Sequence, residues 1–202
     1  MPNRRQAWRR IALAGATPLL GGGLTLLLQG SQGRAAVAVP DDVCIVAPLM
    51  GWEGPAGPAM LAPRDIPAQA RCPVCGMFPA RQPRWAAQAI HADGAVHFLD
   101  SPLSLFLYLQ RVERYAPGRQ RSGIAALHVR DHETGRWLPA QQALFVHGSA
   151  LSGPMKAGNL PAAADAAAAG RLIARHGGQA LAYTTLAEEL PPALQQLAPH
   201  RH

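Results

Sequence analysis

The densest run of reactive side chains is Cys72-Pro73-Val74-Cys75-Gly76-Met77, and a further methionine stands far downstream in Gly153-Pro154-Met155. Two thiols separated by two residues can turn toward one centre, and Gly76 permits the tight backbone that brings a metal close to the main chain. Thiolate and thioether are soft donors. A site that mixes them selects Cu(I) over hard cations such as magnesium or calcium. Among the eight histidines, His97 carries the most weight, because it follows a predicted hairpin turn in Ala95-Val96-His97-Phe98-Leu99-Asp100. The candidate metal ligands are therefore Cys72, Cys75, Met77, Met155 and His97.

Other readings of the same residues stay open. A CxxC pair can be a redox couple or a plain disulfide, but a thioredoxin-like pair opens a helix that lowers the pKa of its first thiol. Here Gly76 and Pro79 interrupt any helix after Cys75. The pair can also be half of a zinc site, for which the three cysteines supply too few thiols without distant histidines. Met77 and Met155 can be ordinary core residues, although the Gly, Pro and Lys around Met155 read as loop. His97 can be a hydrogen-bonded strand residue; His128, His132 and His147 rank below it, and His200 and His202 read as solvated. Cys44, in Asp41-Asp42-Val43-Cys44, fits a disulfide partner, a free thiol or an extra ligand. The chain has no Walker loop, no G-x-S-x-G elbow and no H-E-x-x-H. Asp93 reads as a turn residue and Asp100 as a helix-leading acid, so no catalytic set emerges and the reading is a binding protein rather than an enzyme.

The elements that must position these donors follow from local patterning. Trp85 to His91 and Ala95 to Leu99, with Asp93-Gly94 between them, predict a β-hairpin whose turn needs positive φ. Ser101-Pro102 then starts a helix carrying Leu103, Phe106, Leu107 and Leu109, stopped by Pro117-Gly118, with its apolar face over the hairpin. In a second cycle, strands are expected over Ile124 to Arg130 and Trp137 to His147. An Ala-rich helix over Ala162 to His176 ends at Gly177-Gly178, and a last strand covers Leu181 to Thr184. The class is α+β, with two β-β-α-β-type units.

Bulk composition sets the setting. Apolar residues make up 49% of the 202-residue chain and charged ones 15%, a globular balance. The net charge of +7 suggests nucleic acid at first sight. Five of the 19 basic residues, Arg4, Arg5, Arg9, Arg10 and Arg34, fall within the acid-free first 38 positions, which leaves 14 against 12 acidic residues. The charge argument for nucleic acid then collapses. Residues 1–38 read instead as an export signal: arginines, an apolar run from Ile11 to Leu28, and the small-residue site Ala36-Val37-Ala38. Arg9-Arg10-Ile11-Ala12-Leu13 suits the twin-arginine route. The alternative is an uncleaved membrane anchor, which Gly15, Pro18 and Gly21 to Gly23 weaken. Residues 39–70 form an extended lead-in rich in Pro and Gly, 71–190 the metal-binding domain and 191–202 a tail.

At Arg71-Cys72-Pro73-Val74-Cys75-Gly76-Met77, Val96 to Tyr108, Phe145-Val146-His147-Gly148-Ser149 leading into Gly153-Pro154-Met155, and Ala174-Arg175-His176-Gly177-Gly178, the chain resembles the NosL family. These are copper-binding accessory proteins of nitrous oxide reductase maturation in denitrification. The resemblance implies a monomer with a fold like that of organomercurial lyase. It also implies a periplasmic location and delivery of Cu(I) to nitrous oxide reductase with a membrane ABC-type complex as partner. Carried over by position, Cys75 is the strongest ligand and Met155 the next, with Cys72 and Met77 behind them. Two departures stand out. No lipid-attachment cysteine follows the apolar run, and Lys156 replaces the glycine often found after that methionine. A chaperone for another copper enzyme and a periplasmic thiol-disulfide oxidoreductase are the alternatives.

Overall fold

The structure is a computed structural model that describes residues 47–156 and 159–195. The expected export signal, Cys44, His200 and His202 lie outside the described residues.

The expected hairpin forms from β1 (Ala87–His91) and β2 (Val96–Leu99), antiparallel with Ala87 opposite Leu99. Only Gly94 takes the positive φ, at 79°, while the Asp93 carboxylate accepts from the Ala95 N–H at 3.1 Å. A side chain at Gly94 would run into Trp52 and Met60, so this turn needs glycine for space as well as for φ. Trp85 falls outside β1, in a 3-10 turn over Pro83–Trp85, because Pro83 begins that turn rather than a ladder. β3 (Ile124–Arg130) pairs with the other side of β1, and β4 (Trp137–Pro139) with β3, giving the order β2-β1-β3-β4.

The single strand expected over Trp137 to His147 is two strands in two sheets. Pro139 has no N–H to continue the ladder, and a 3-10 turn over Ala140–Gln142 redirects the chain into β5 (Leu144–His147). β5 is the middle of a second antiparallel sheet, between β6 (Ala162–Ala163) and β7 (Gln179–Ala182). The class is α+β, as the patterning indicated, with four strands in one sheet and three in the other.

Helix α1 (Pro102–Gln110) starts where expected, with the Ser101 hydroxyl accepting the Ser104 N–H at 3.2 Å. It ends earlier than the Pro117-Gly118 stop. Arg111 leaves helical geometry at φ −143°, and the chain resumes as α2 (Val112–Tyr115). Helix α3 (Ala166–His176) is capped by Asp165, which accepts from the Ala168 N–H at 2.7 Å, and ends at Gly177, φ 71°. It begins four residues later than expected because Ala162 and Ala163 pair with β5. The last expected strand forms two residues earlier, over Gln179–Ala182, at the same length. Tyr183 opens α4 (Tyr183–Glu188), and α5 (Pro192–Gln195) follows. Among the described residues no helix is long and apolar enough to cross a membrane.

The main core lies between α1 and both sheets. It contains Leu99, Leu103, Leu105, Phe106, Tyr108 and Phe145, and Cys72 belongs to it. Phe106 meets Phe145 edge to face at 5.0 Å, which ties α1 to the second sheet. A separate cluster of Val146, Ala163, Ala168, Ala169 and Leu172 fastens α3.

Residues 47–70 show no hydrophobic period, yet they are bound tightly to the first sheet. Met50 exchanges two backbone hydrogen bonds with Val96. The buried Gln88 amide accepts from the Arg64 N–H at 3.0 Å and donates to the Arg64 carbonyl at 2.6 Å. Arg64 also donates to the carbonyls of Met60 and Gly94 and stacks on Trp52.

Candidate metal centre

Cys72 and Cys75 sit on a closed loop. The Cys72 N–H donates to the Met77 carbonyl and the Gly76 N–H to the Cys72 carbonyl, each at 2.8 Å. Gly76, at φ 73°, makes the closure possible, and Arg71 donates from its guanidinium to the Gly76 carbonyl at 3.1 Å. The loop is not the start of a helix. Cys72 points into the core with no exposed surface, Cys75 is half-buried, and both are free thiols.

A third group completes the centre. One ligand atom each from Cys72, Cys75 and Asp100 lie within 4.8 Å of one another. Asp100 is the residue between β2 and the Ser101 cap of α1, so the hairpin and the helix together aim it at the loop. It is 1% exposed, and its Oδ2 has no hydrogen-bond partner. An orphaned, buried carboxylate oxygen is costly unless something positive or protic meets it. Burial, then the neighbouring Cys75 thiol and the Asp100 carboxylate, push the Cys72 thiol well above its usual range; the Asp100 N–H donating to its sulfur works the other way.

The methionines differ from each other. Met77 ends the loop and is 36% exposed, a thioether at the lip of the centre. Met155 is half-buried and packs against the same core cluster as Cys75, next to Lys156, which holds a left-handed φ of 55°. His97 is committed elsewhere. Its Nε2 lies 3.2 Å from the Ala47 carbonyl and its Nδ1 3.2 Å from the Tyr108 hydroxyl, which is also 3.1 Å from the Nε2 of His91. Since a carbonyl only accepts, His97 donates through Nε2 and its Nδ1 takes the tyrosine proton. No ring nitrogen is left for a metal in this arrangement. Burial also lowers the His97 pKa to about 4, so the ring stays neutral. His128 lies 2.9 Å from the Leu61 carbonyl, and His132 stands edge-on to Trp85.

From sequence alone Asp100 is explained as a helix-leading acid, and its place beside the thiols emerges only in the fold. The usable signal was position: a lone acid closing a buried strand, before a cap that Ser101 already supplies. Tyr115 emerges only there as well. It packs against the cluster that holds Cys72 and Cys75 and stacks on Tyr108 at 5.9 Å.

Two buried or half-buried thiols with one carboxylate oxygen that lacks a partner fit a soft cation better than a hard one, because the hard donor count is one. Fewer than four Cys or His donors gather among the described residues, which is short of a closed structural zinc site.

The fold is similar to the crystal structure of the copper chaperone NosL from Shewanella denitrificans. The two chains are 20% identical, with a TM-score of 0.54, and the likeness covers 61% of this chain and 94% of that one. No curated protein sequence matches the chain. The family model for NosL matches residues 63–191, well over half of the sequence, and includes the CxxC loop, Asp100 and Met155. The chain belongs to the NosL family.

Proposed function

We propose that the protein is a copper chaperone that takes Cu(I) on cysteine and methionine sulfur outside the cytoplasm and passes it on for the maturation of nitrous oxide reductase. The observation that carries this reading is the meeting of Cys72, Cys75 and the unpartnered Asp100 carboxylate within 4.8 Å, in a member of the NosL family. Copper is cargo here, and the chain binds and releases it rather than catalysing a reaction. Cys75 is the donor that solvent reaches, Met77 stands at the lip, and Met155 packs against the same core. Cys72 and Asp100 lie behind them. A cation entering this site exchanges for a thiol proton, and Asp100 supplies a negative charge that compensates the cation in a low-dielectric surrounding. Low coordination suits release by ligand exchange, which a closed four-ligand site would slow.

The acceptor in this reading is nitrous oxide reductase itself or a membrane ABC-type complex that serves it. The location outside the cytoplasm is supported by the signal-like residues 1–38. Cys72 weighs against a thiol oxidoreductase: its thiol is fully buried and its pKa is raised rather than lowered. Anaerobic titration of the reduced protein with Cu(I) against a chromophoric competitor tests the proposal. One ion per chain, with binding weakened strongly in Cys75→Ser and less in Met155→Ala, is expected. Absence of uptake by the wild type sinks it. Disulfide reductase activity that survives Met155→Ala and vanishes in Cys75→Ser would instead favour the oxidoreductase.

A further inference from the structure

Arginines stand on and beside the loop that carries the thiols. Arg71 precedes Cys72 and lies over one part of the Phe78 ring at 4.2 Å, while Arg81 lies over the same ring at 4.4 Å. From the other side, α2 and the residue before it bring Arg111 and Arg114 to Tyr115, the ring beside the thiols. Burial raises the Tyr115 pKa, both guanidinium groups lower it, and Cys72 and Cys75 raise it. All four arginines are exposed, and none forms an ion pair among the described residues. By contrast, Arg119, Arg171 and Arg175 are each paired, with Asp93 or with Glu133. The only acid within this stretch of α2 is the exposed Glu113, and Asp100 is buried.

Four exposed, unpaired arginines, two on the Phe78 ring beside the thiol loop and two flanking Tyr115, carry a net positive field. Two of them are held against a ring, so less side-chain entropy is lost when they meet a partner. Arginine fits carboxylates by paired N–H donors and is enriched in protein interfaces. Resting on the copper-chaperone reading, we propose that this arginine collar is the docking surface for the copper acceptor, and that the acceptor presents an acidic protein surface around its own copper-binding donors. The collar steers the two openings together and holds them in register while ligands exchange. An anionic membrane would meet the same charges, but it would cover the donors at the moment of transfer. Among the described residues the exposed large apolar side chain is Met77 alone, too little to anchor in lipid.

The test uses two synthetic peptides with the same Cys-Gly-Gly-Cys core, one flanked by glutamates and the other by lysines. Anaerobic stopped-flow mixing with the copper-loaded protein should show transfer to the glutamate peptide at least about tenfold faster at low ionic strength, with the advantage gone near about 0.5 M salt. The triple variant Arg81→Gln/Arg111→Gln/Arg114→Gln, which leaves the Arg71 bond to Gly76 in place, should keep its Cu(I) affinity and lose most of that preference. Equal rates for the two peptides overturn the proposal, as does a preference that persists in the variant. Fluorescence anisotropy of the labelled glutamate peptide with reduced, copper-free protein measures docking alone, so a failure to bind copper is separable from a failure to dock. Tighter binding to phosphatidylglycerol vesicles than to the glutamate peptide would also overturn it.

Discussion

Loading with Cu(I) near neutral pH should release about one proton per ion, not two. The ligand atoms of Cys72, Cys75 and Asp100 lie within 4.8 Å of one another, so unit charges on any two of them interact by about 3 kcal/mol at an effective dielectric constant near 20. One thiolate and one cuprous ion leave the net charge of the site unchanged on loading. A second thiolate is attracted by the cuprous ion but repelled by the first thiolate and by the carboxylate, about 3 kcal/mol each, so it gains little. Full burial of Cys72 disfavours that second ionisation further. Calorimetry of Cu(I) transfer from a weak ligand, repeated in buffers of different ionisation enthalpy, counts the protons. Asp100→Asn removes the repulsion and should move the count upward and steepen the pH dependence of affinity. Two protons released by the wild type near pH 7, or a lower count in Asp100→Asn, would refute the charge argument.

Other consequences follow from the fold around the site. Gly76→Ala should cost about 1 kcal/mol, because φ is 73° while no atom lies within 4 Å of the added carbon; urea denaturation should place Gly76→Asn between the two. The neutral, buried His97 ring holds a pKa of about 4 against about 6.5 in an unfolded chain, so acid favours unfolding. That contribution is complete above about pH 6.5 and is lost as pH falls toward 4, about 3 kcal/mol in all. The acid slope of urea-measured stability should flatten in His97→Asn, and parallel slopes for the two proteins would contradict it. Phe106→Ala removes the edge-to-face contact with Phe145 and a fully buried ring, so a loss of about 3–5 kcal/mol is expected in the same assay.

Local rules read the first half of the domain well. The Asp93-Gly94 turn and the Ser101-Pro102 start are decided by short-range chemistry, a carboxylate on a nearby N–H and a hydroxyl cap, which a sequence displays directly. The second half was less legible. A break at Pro139 and the recruitment of Ala162 and Ala163 to β5 depend on which strand edge is open, and no local propensity records that. The break at Arg111 likewise has no proline or glycine to announce it. At the site, the cysteines declared themselves by type and spacing. Asp100 did not, since a carboxylate before a helix has an ordinary explanation until its orphaned oxygen is seen beside two thiols. His97 is misleading for a related reason: Asp100, three residues on, lies at the site, while the His97 ring is taken up by Tyr108 and Ala47.

X-ray absorption at the copper edge of anaerobically loaded protein reports the metal's oxidation state and its neighbours together. A monovalent ion with two or three sulfur scatterers near the Cu–S distance is expected, with one of them lost in Cys75→Ser. A shell made of nitrogen and oxygen, or one unchanged by Cys75→Ser, would contradict it.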